Sequence, residues 1–516
     1  DSNDTPGSRR LHGAKPVCPL NVVFCHEFRQ VFQEFQILFR NGIGNQITIT
    51  ATAETDQIGN SVNQHRGFAA AGSAVGLGNL WRFPYLAAKD GGGLFLLVYV
   101  VLALTFGFTL LSTEIAIGRK TKLSPLKAYA KISQKWKFLG VIACLVPLMI
   151  MPYYCVIGGW VLKYFVAFLT GNGVTAAGEG YFTDFITSNV EPIVFTVVFL
   201  AATAFVVFRG VNKGIESFSK IIMPILLVLI VIIAAFSFTI KHEDATGTVR
   251  TGLEGFKVYV IPNLEGMTLK GFFTIVMDAM GQLFYSLSVA MGIMVAYGSY
   301  VRDEDNLMKS INQIEIFDTA VAFLAGAMII PAVYTFTGTE GMQAGPSLMF
   351  VSLPKIFEAM GPIGNVIGCL FFAMVLFAAI TSSVSILEAI VASLIDQFRV
   401  SRKVATGIEA VFAVVLAVVV CLGYNVFYFE AKLPNGASAQ ILDIMDYVSN
   451  NILMPVVAIG TCILIGWIMK PKYVIDEIEK NGSKFGRRKL YIAMIKVVAP
   501  ILLLVLLLMS LGVITL

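Results

Sequence analysis

The sequence predicts an all-α integral membrane protein of eleven transmembrane helices, two of them broken. Three observations carry this prediction. Hydrophobic residues fill 56% of the 516 positions and charged residues only 14%, against roughly 45–50% and ~25% in soluble domains. Apolar runs of about 20 residues recur along the chain, and that length spans a hydrocarbon core of ~30 Å. Lys and Arg gather in alternate connections between the runs. Lipid offers no partner to a bare amide or carbonyl, so each run is expected as a helix and not as an open strand.

In chain order the predicted spans cover 67–89, 92–118, 139–168, 190–208, 215–240, 271–297, 313–336, 362–396, 404–423, 441–469 and 491–515. The connection after the second span, RKTKLSPLKAYAKISQKWK, carries seven basic residues. KPKYVIDEIEKNGSKFGRRK, between the last two spans, carries another seven, whereas 171–189 carries none. Basic connections remain on the cytoplasmic side. The N-terminus is therefore expected inside and the C-terminus outside a plasma membrane, the inner membrane in a bacterium. The net charge of +5 follows from this bias and implies no nucleic-acid partner.

Residues 1–65 differ in character, being polar, with no basic segment leading into an apolar one; no signal peptide is expected there. VVFCHEFRQVFQEFQILFR sets Phe24, Phe28, Phe32 and Phe35 at helical spacing, and this tail of unknown order carries no assigned function. The expected division is the tail at 1–65, a core of ten helices at 66–470, and a cytoplasmic loop with the last helix at 471–516. Cys144, Cys155, Cys369, Cys421 and Cys462 fall in apolar spans without the paired spacing of a metal site, and read as small core residues.

The first and sixth spans are written against helix formation. GSAVGLGNLWRFP, residues 72 to 84, holds three glycines, a proline, an asparagine and an arginine; GQLFYSLSVAMGIMVAYGSY crowds Ser286, Ser288, Ala290 and Gly292 into the middle of a span. Small residues also serve close helix packing. An interrupted helix is tolerated in a bilayer where its freed backbone is buried in protein or lines a cavity, so two such stretches point to backbone with polar work to do.

Five separated motifs, AAAGSAVGLGNLWRFPYLAAKDGGG, PYYCVIGGW, GQLFYSLS, NQIEIFDT and FAAITSSVSILEA, identify a resemblance. From about residue 66 to 515 the chain resembles the neurotransmitter:sodium symporter family, in its bacterial amino-acid transporter branch. The resemblance implies a 5+5 inverted repeat with helices 1 and 6 unwound at the midplane. It also implies sodium-coupled import of an amino acid by alternating access, with sodium ions at two sites.

By the same resemblance, the first sodium site would use the Ala74 carbonyl, Asn79, Ser286 and Asp318. The second would use the Thr381 and Ser382 hydroxyls with the carbonyls of Gly72, Val75 and Ala378. All are the hard oxygen donors that sodium prefers. A carboxylate inside a span costs about 2.5–3.5 kcal/mol on insertion scales, which makes Asp318 a functional candidate. Chloride-dependent members use a serine one turn further along, where Ala322 stands here; Asp318 is expected to supply the fixed negative charge, and transport to need no chloride.

The implied substrate site comprises Ser73, Ala74 and Gly78 of the unwound first span, Ile150, Tyr154, Tyr285, Ser286, Ser288, Met291, Ser382 and Ile386. Monoamine carriers of the family hold an aspartate where Gly76 stands, so the expected substrate brings its own carboxylate. The mostly apolar lining excludes charged side chains through their desolvation cost, and a neutral, hydrophobic amino acid is expected. Arg82 and Asp446 would close the outer gate, with Asp443 the fallback partner. Glu114, Glu315 and Glu388 remain unassigned.

No enzymatic activity is expected: Ser73 or Ser382 as a nucleophile would need a base, and none of the four histidines lies in a span. A channel or non-transporting amino-acid sensor on the same fold stands as the alternative. A proton-coupled carrier of related architecture would carry Lys where Thr381 and Ser382 stand. The exact amino acid, ion stoichiometry, proton antiport and oligomeric state are not fixed by the sequence.

Overall fold

Nine helices among the described residues are long and apolar enough to cross a membrane. The protein is represented by a computed structural model that describes residues 76–243, 247–264, 266–338, 347–434 and 436–514, all within one unit. Short helix α1 (Phe83–Lys89) follows a wide turn over Gly78–Arg82. Next come α2 (Gly93–Thr121), the short α3 (Pro125–Ile132), α4 (Lys137–Leu169), α5 (Glu191–Phe208), α6 (Ser217–Thr239) and α7 (Gly252–Val260). The second half holds α8 (Leu269–Ser286), α9 (Ile293–Tyr300), α10 (Leu307–Thr337), α11 (Leu353–Ala359), α12 (Pro362–Phe398), α13 (Arg402–Leu422), α14 (Ile441–Ile468), α15 (Lys472–Ile478) and α16 (Arg488–Ser510). Two small antiparallel hairpins decorate the connections, pairing Lys241 with Thr251 and Ala431 with Ala439.

Helices α2, α4 and α10 lie toward the inside of the bundle, two-thirds of their most apolar stretch being buried, whereas only 22% of that of α16 is covered. The outer helices carry exposed Val, Ile, Leu and Phe, as a lipid-facing surface requires. Pro147, Pro152, Pro224 and Pro331 lie inside α4, α6 and α10 without ending them.

The sixth span is broken. Helix α8 ends at Ser286, α9 starts at Ile293, and the chain between them takes left-handed backbone at Ser288 (φ 53°), Ala290 (φ 63°) and Gly292 (φ 75°). Such angles are costly for residues with a Cβ. They persist here because surrounding groups hold the segment: the Ala290 amide donates to Glu114 Oε1 on α2 at 2.6 Å. Of the first span's expected break at residues 72–78, the described part shows Gly76 in a bend and Gly78 already in the wide turn. Gly72, Ser73, Ala74 and Val75, with the whole 1–65 tail, lie outside the described residues.

Candidate ion and substrate site

Asp318 is the centre of the site. Helix α10 begins at Leu307, six residues before the predicted start, and this moves Asp318 from the edge of its span to three turns inside it. The side chain is fully buried. Four groups from four elements meet there. Asn79, on the turn before α1, donates its Nδ2 to Asp318 Oδ1 at 2.9 Å. Ser286, the last residue of α8, lies 2.6 Å from the same oxygen and 3.1 Å from Asn79 Oδ1, a single hydroxyl proton facing two acceptors. The Tyr99 hydroxyl of α2 stands 3.3 Å from Asp318 Oδ2 and 3.2 Å from Ser286 Oγ.

The arrangement leaves a charge uncompensated. Among the described residues no Lys, Arg or His pairs with Asp318, although a buried ion is strongly penalised without a counter-charge. The carboxylate and the Asn79 amide oxygen, each within hydrogen-bonding distance of the Ser286 hydroxyl, are with it hard oxygen donors, a set suited to a small alkali cation.

Next to this group, the residues Gly76 and Gly78 let the first span approach its neighbours closely. A methyl built on Gly76 would lie 2.4 Å from Ser382 Oγ and 3.5 Å from the Tyr154 hydroxyl. One built on Gly78 would lie 2.3 Å from Tyr285 Cδ1. Tyr154 on α4, Ser382 on α12 and Tyr285 on α8 therefore converge on one short backbone stretch. Ile150 precedes Tyr154 by one helical turn and Ile386 follows Ser382 by one, so each shares its neighbour's face; both are buried, as are Met291 and Ser288. The Tyr154 hydroxyl is buried and faces the Ser382 side chain and the Leu77 backbone.

The second predicted cation site is described only in part. Thr381 Oγ1 bonds back to the carbonyls of Ala378 at 2.9 Å and Phe377 at 3.1 Å, the common use of a threonine in a membrane helix. Two of its expected members thus engage each other. At the gate, Arg82 and Asp446 form no direct ion pair among the described contacts. Asp446 instead accepts from Tyr153 at 3.0 Å and from Asn450 at 2.6 Å. Asp443 receives the amide of Gln440 at the start of α14, a helix-capping use.

Sequence reasoning passed over Tyr99 and Gln282, whose Nε2 donates to the Gly78 carbonyl at 3.0 Å. Tyr99 carried a signal: it stands in the apolar run GLFLLVYVVL, nearly two turns inside α2, and a buried tyrosine hydroxyl needs a polar partner. The three unassigned acids have structural partners. Glu315 is forked by Arg487 at 2.6 and 2.9 Å, Glu388 is held by Arg402 and Tyr300, and Glu114 receives the Ala290 amide.

Apolar helices enclosing a broken one, with an uncompensated carboxylate ringed by oxygen atoms at the break, define the class: a multi-pass membrane protein that handles cations. Comparison with known proteins carries this further. The model of the sodium:neurotransmitter symporter family matches residues 63–184 and 189–515. The sodium-dependent transporter YhdH of Bacillus subtilis (strain 168) is 32% identical over 456 residues, covering 87% of this chain and 96% of the relative. The crystal structure of MhsT in complex with L-phenylalanine superposes with a TM-score of 0.75 at 31% identity, over 86% of this chain and 98% of that one. The human sodium- and chloride-dependent GABA transporter 2 is 24% identical over 80% of this chain and 73% of its own length. The chain belongs to the sodium:neurotransmitter symporter family and is a sodium-dependent membrane transporter.

Proposed function

We propose that the chain is a symporter that uses the sodium gradient to import a neutral, hydrophobic amino acid by alternating access, without a requirement for chloride. The observation that carries the reading is Asp318, buried in mid-helix among Asn79, Ser286 and Tyr99 with no basic partner among the described residues. In this proposal sodium is a transported species whose charge compensates that carboxylate. The first sodium is held by Asn79, Ser286, Asp318 and the Ala74 carbonyl. The second is held by Thr381 and Ser382 with the carbonyls of Gly72, Val75 and Ala378. The reading includes eleven helices in a 5+5 inverted repeat, and insertion in the plasma membrane with the N-terminus inside.

Chloride independence is supported by the direction of the hydroxyls. Tyr99 reaches Asp318 Oδ2 and Ser286 faces Oδ1, so donors that an anion would need face a resident carboxylate, and Ala322 adds none. The choice of an amino acid over an amine is supported by Gly76. A side chain there would collide with Ser382, so a lone ammonium group has no carboxylate to meet at that position. The buried Tyr154 hydroxyl is a donor suited to a substrate carboxylate, and Ile150, Met291 and Ile386 suit an apolar side chain. L-phenylalanine is the amino acid bound in the MhsT structure, in keeping with this class.

The decisive measurement is uptake of labelled amino acids into proteoliposomes, with sodium gradients present or absent and with chloride exchanged for gluconate. Accumulation of apolar amino acids against their gradient, only with inward sodium and equally in gluconate, is expected. Steep chloride dependence, or equilibration without accumulation as in a channel, would refute the proposal.

A further inference from the structure

We propose that the turn joining α5 to α6 and the turn joining α12 to α13 together form a binding site for an anionic phospholipid. The two turns touch: a methyl on Gly210 would lie 3.8 Å from Arg402 Cδ. Across this contact Lys403 Nζ stands over the Phe208 ring, 5.4 Å from its centroid, and Arg209 Cζ stands 5.5 Å from that of Phe205. Phe205 and Phe208 lie one turn apart at the end of α5 and are 61% and 44% exposed, on a helix whose outer face meets lipid.

The charges at this place are unspent. Among the described residues Arg209, Arg399 and Lys403 make no ion pair, whereas Arg402 beside them is bound to Glu388. Segments 205–220 and 394–408 hold six basic residues and two acidic ones. Of the two acids, Asp396 accepts the Ser124 amide at 2.6 Å, and Glu216 pairs with neither Arg209 nor Lys403. Arg209 and Lys403 each lie above an exposed ring at the end of a membrane helix, the posture of a snorkelling side chain. A phospholipid fits both halves of this surface, its phosphate meeting Arg209 and Lys403 and its chains covering Phe205 and Phe208. A soluble anion would leave the rings bare.

The test uses the full chain in nanodiscs of equal phosphatidylglycerol and phosphatidylcholine, read by native mass spectrometry of the released protein. The wild type should retain phosphatidylglycerol in excess over phosphatidylcholine. Arg209→Gln with Lys403→Gln should reduce that excess by about fivefold per charge, and Arg209→Lys with Lys403→Arg should restore it, which separates lost charge from lost fold. Lys127→Gln with Lys135→Gln, at the same end of the bundle, should leave the excess intact. Equal retention by the Gln pair, equal loss in the Lys127 and Lys135 control, or displacement of the lipid by excess glycerol 3-phosphate would overturn the proposal.

Discussion

At the scale of single residues, the chemistry rests on carboxylates with unusual surroundings. Asp318 is stabilised by three donors but has no counter-charge among the described residues, so the fold should be weaker without sodium. A bound cation adds about 2.7 kcal/mol when sodium stands at about a hundred times its dissociation constant. Asp318→Asn keeps an acceptor for Asn79 and removes the charge. In sodium-free buffer this variant should melt above the wild type, and in sodium it should gain little. A variant still stabilised as the wild type is would remove Asp318 from the cation site. Asp90, in the connection between α1 and α2, offers a second test. Burial first, then the Asp278 carboxylate, push its carboxyl up to about 7, against the opposing pull of Lys89. The folded protein thus holds this proton more tightly than the unfolded chain, whose Asp titrates near 4. The stability from this group is full below about pH 4 and is lost as pH rises through about 7. Asp90→Asn should raise the melting temperature at about pH 8 and leave it unchanged at about pH 4. Thermal scans across that range decide it.

At the scale of elements, the break between α8 and α9 is the feature on which the site depends. Six residues, 287–292, leave the helix, and all of them are buried. Glu114 caps the Ala290 amide, and Gly292 takes a left-handed angle with no room for a side chain, since a Cβ there would lie 2.8 Å from Pro125 Cγ and 2.9 Å from the Ala143 carbonyl. Removing the cap leaves a buried amide unpaired, at a cost of about 1–3 kcal/mol. Glu114→Ala should therefore speed hydrogen exchange across 287–292 and weaken substrate binding, while Glu114→Gln, which retains an acceptor, should do so much less. Uniform exchange in all three proteins would show that the break stands without its cap. The small-residue pattern of SLSVAMG announced this break, but no pattern in span two singled out Glu114 as its support. The partner lies 176 residues away, and only packing brings the two together.

At the scale of the whole molecule, buried ion pairs join elements that are distant in sequence. Arg119 at the end of α2 is fully buried; its Nε donates to Glu477 Oε1 at 2.7 Å, and it also bonds the carbonyls of Glu477 and Asp305. This ties the end of α2 both to α15 and to the connection that follows α9. Losing one member of such a pair costs about 3–5 kcal/mol, whereas replacing both by apolar groups is often neutral. Arg119→Leu alone should sharply lower the melting temperature, and Glu477→Leu added to it should recover most of the loss. A double variant as unstable as the single one would mean that the carbonyl contacts, and not the ion pair, carry the link.

The sequence by itself determined the membrane class, nearly every span to within a few residues, and the location of the break in the sixth. These follow from local composition, because lipid imposes its length and its demand for paired backbone on each segment separately. Helix α10 starts six residues before the predicted start: Lys309, Ser310 and Asn312 make its first turn polar, yet Leu307, Met308 and Ile311 on that turn are buried, and Asp318 moves inward with it. Only the tertiary structure brought Tyr99 to Asp318, left Arg82 and Asp446 without a direct ion pair, and assembled Arg209 and Lys403 over neighbouring rings. Each of these depends on which helices become neighbours, and packing across long sequence separations decides that.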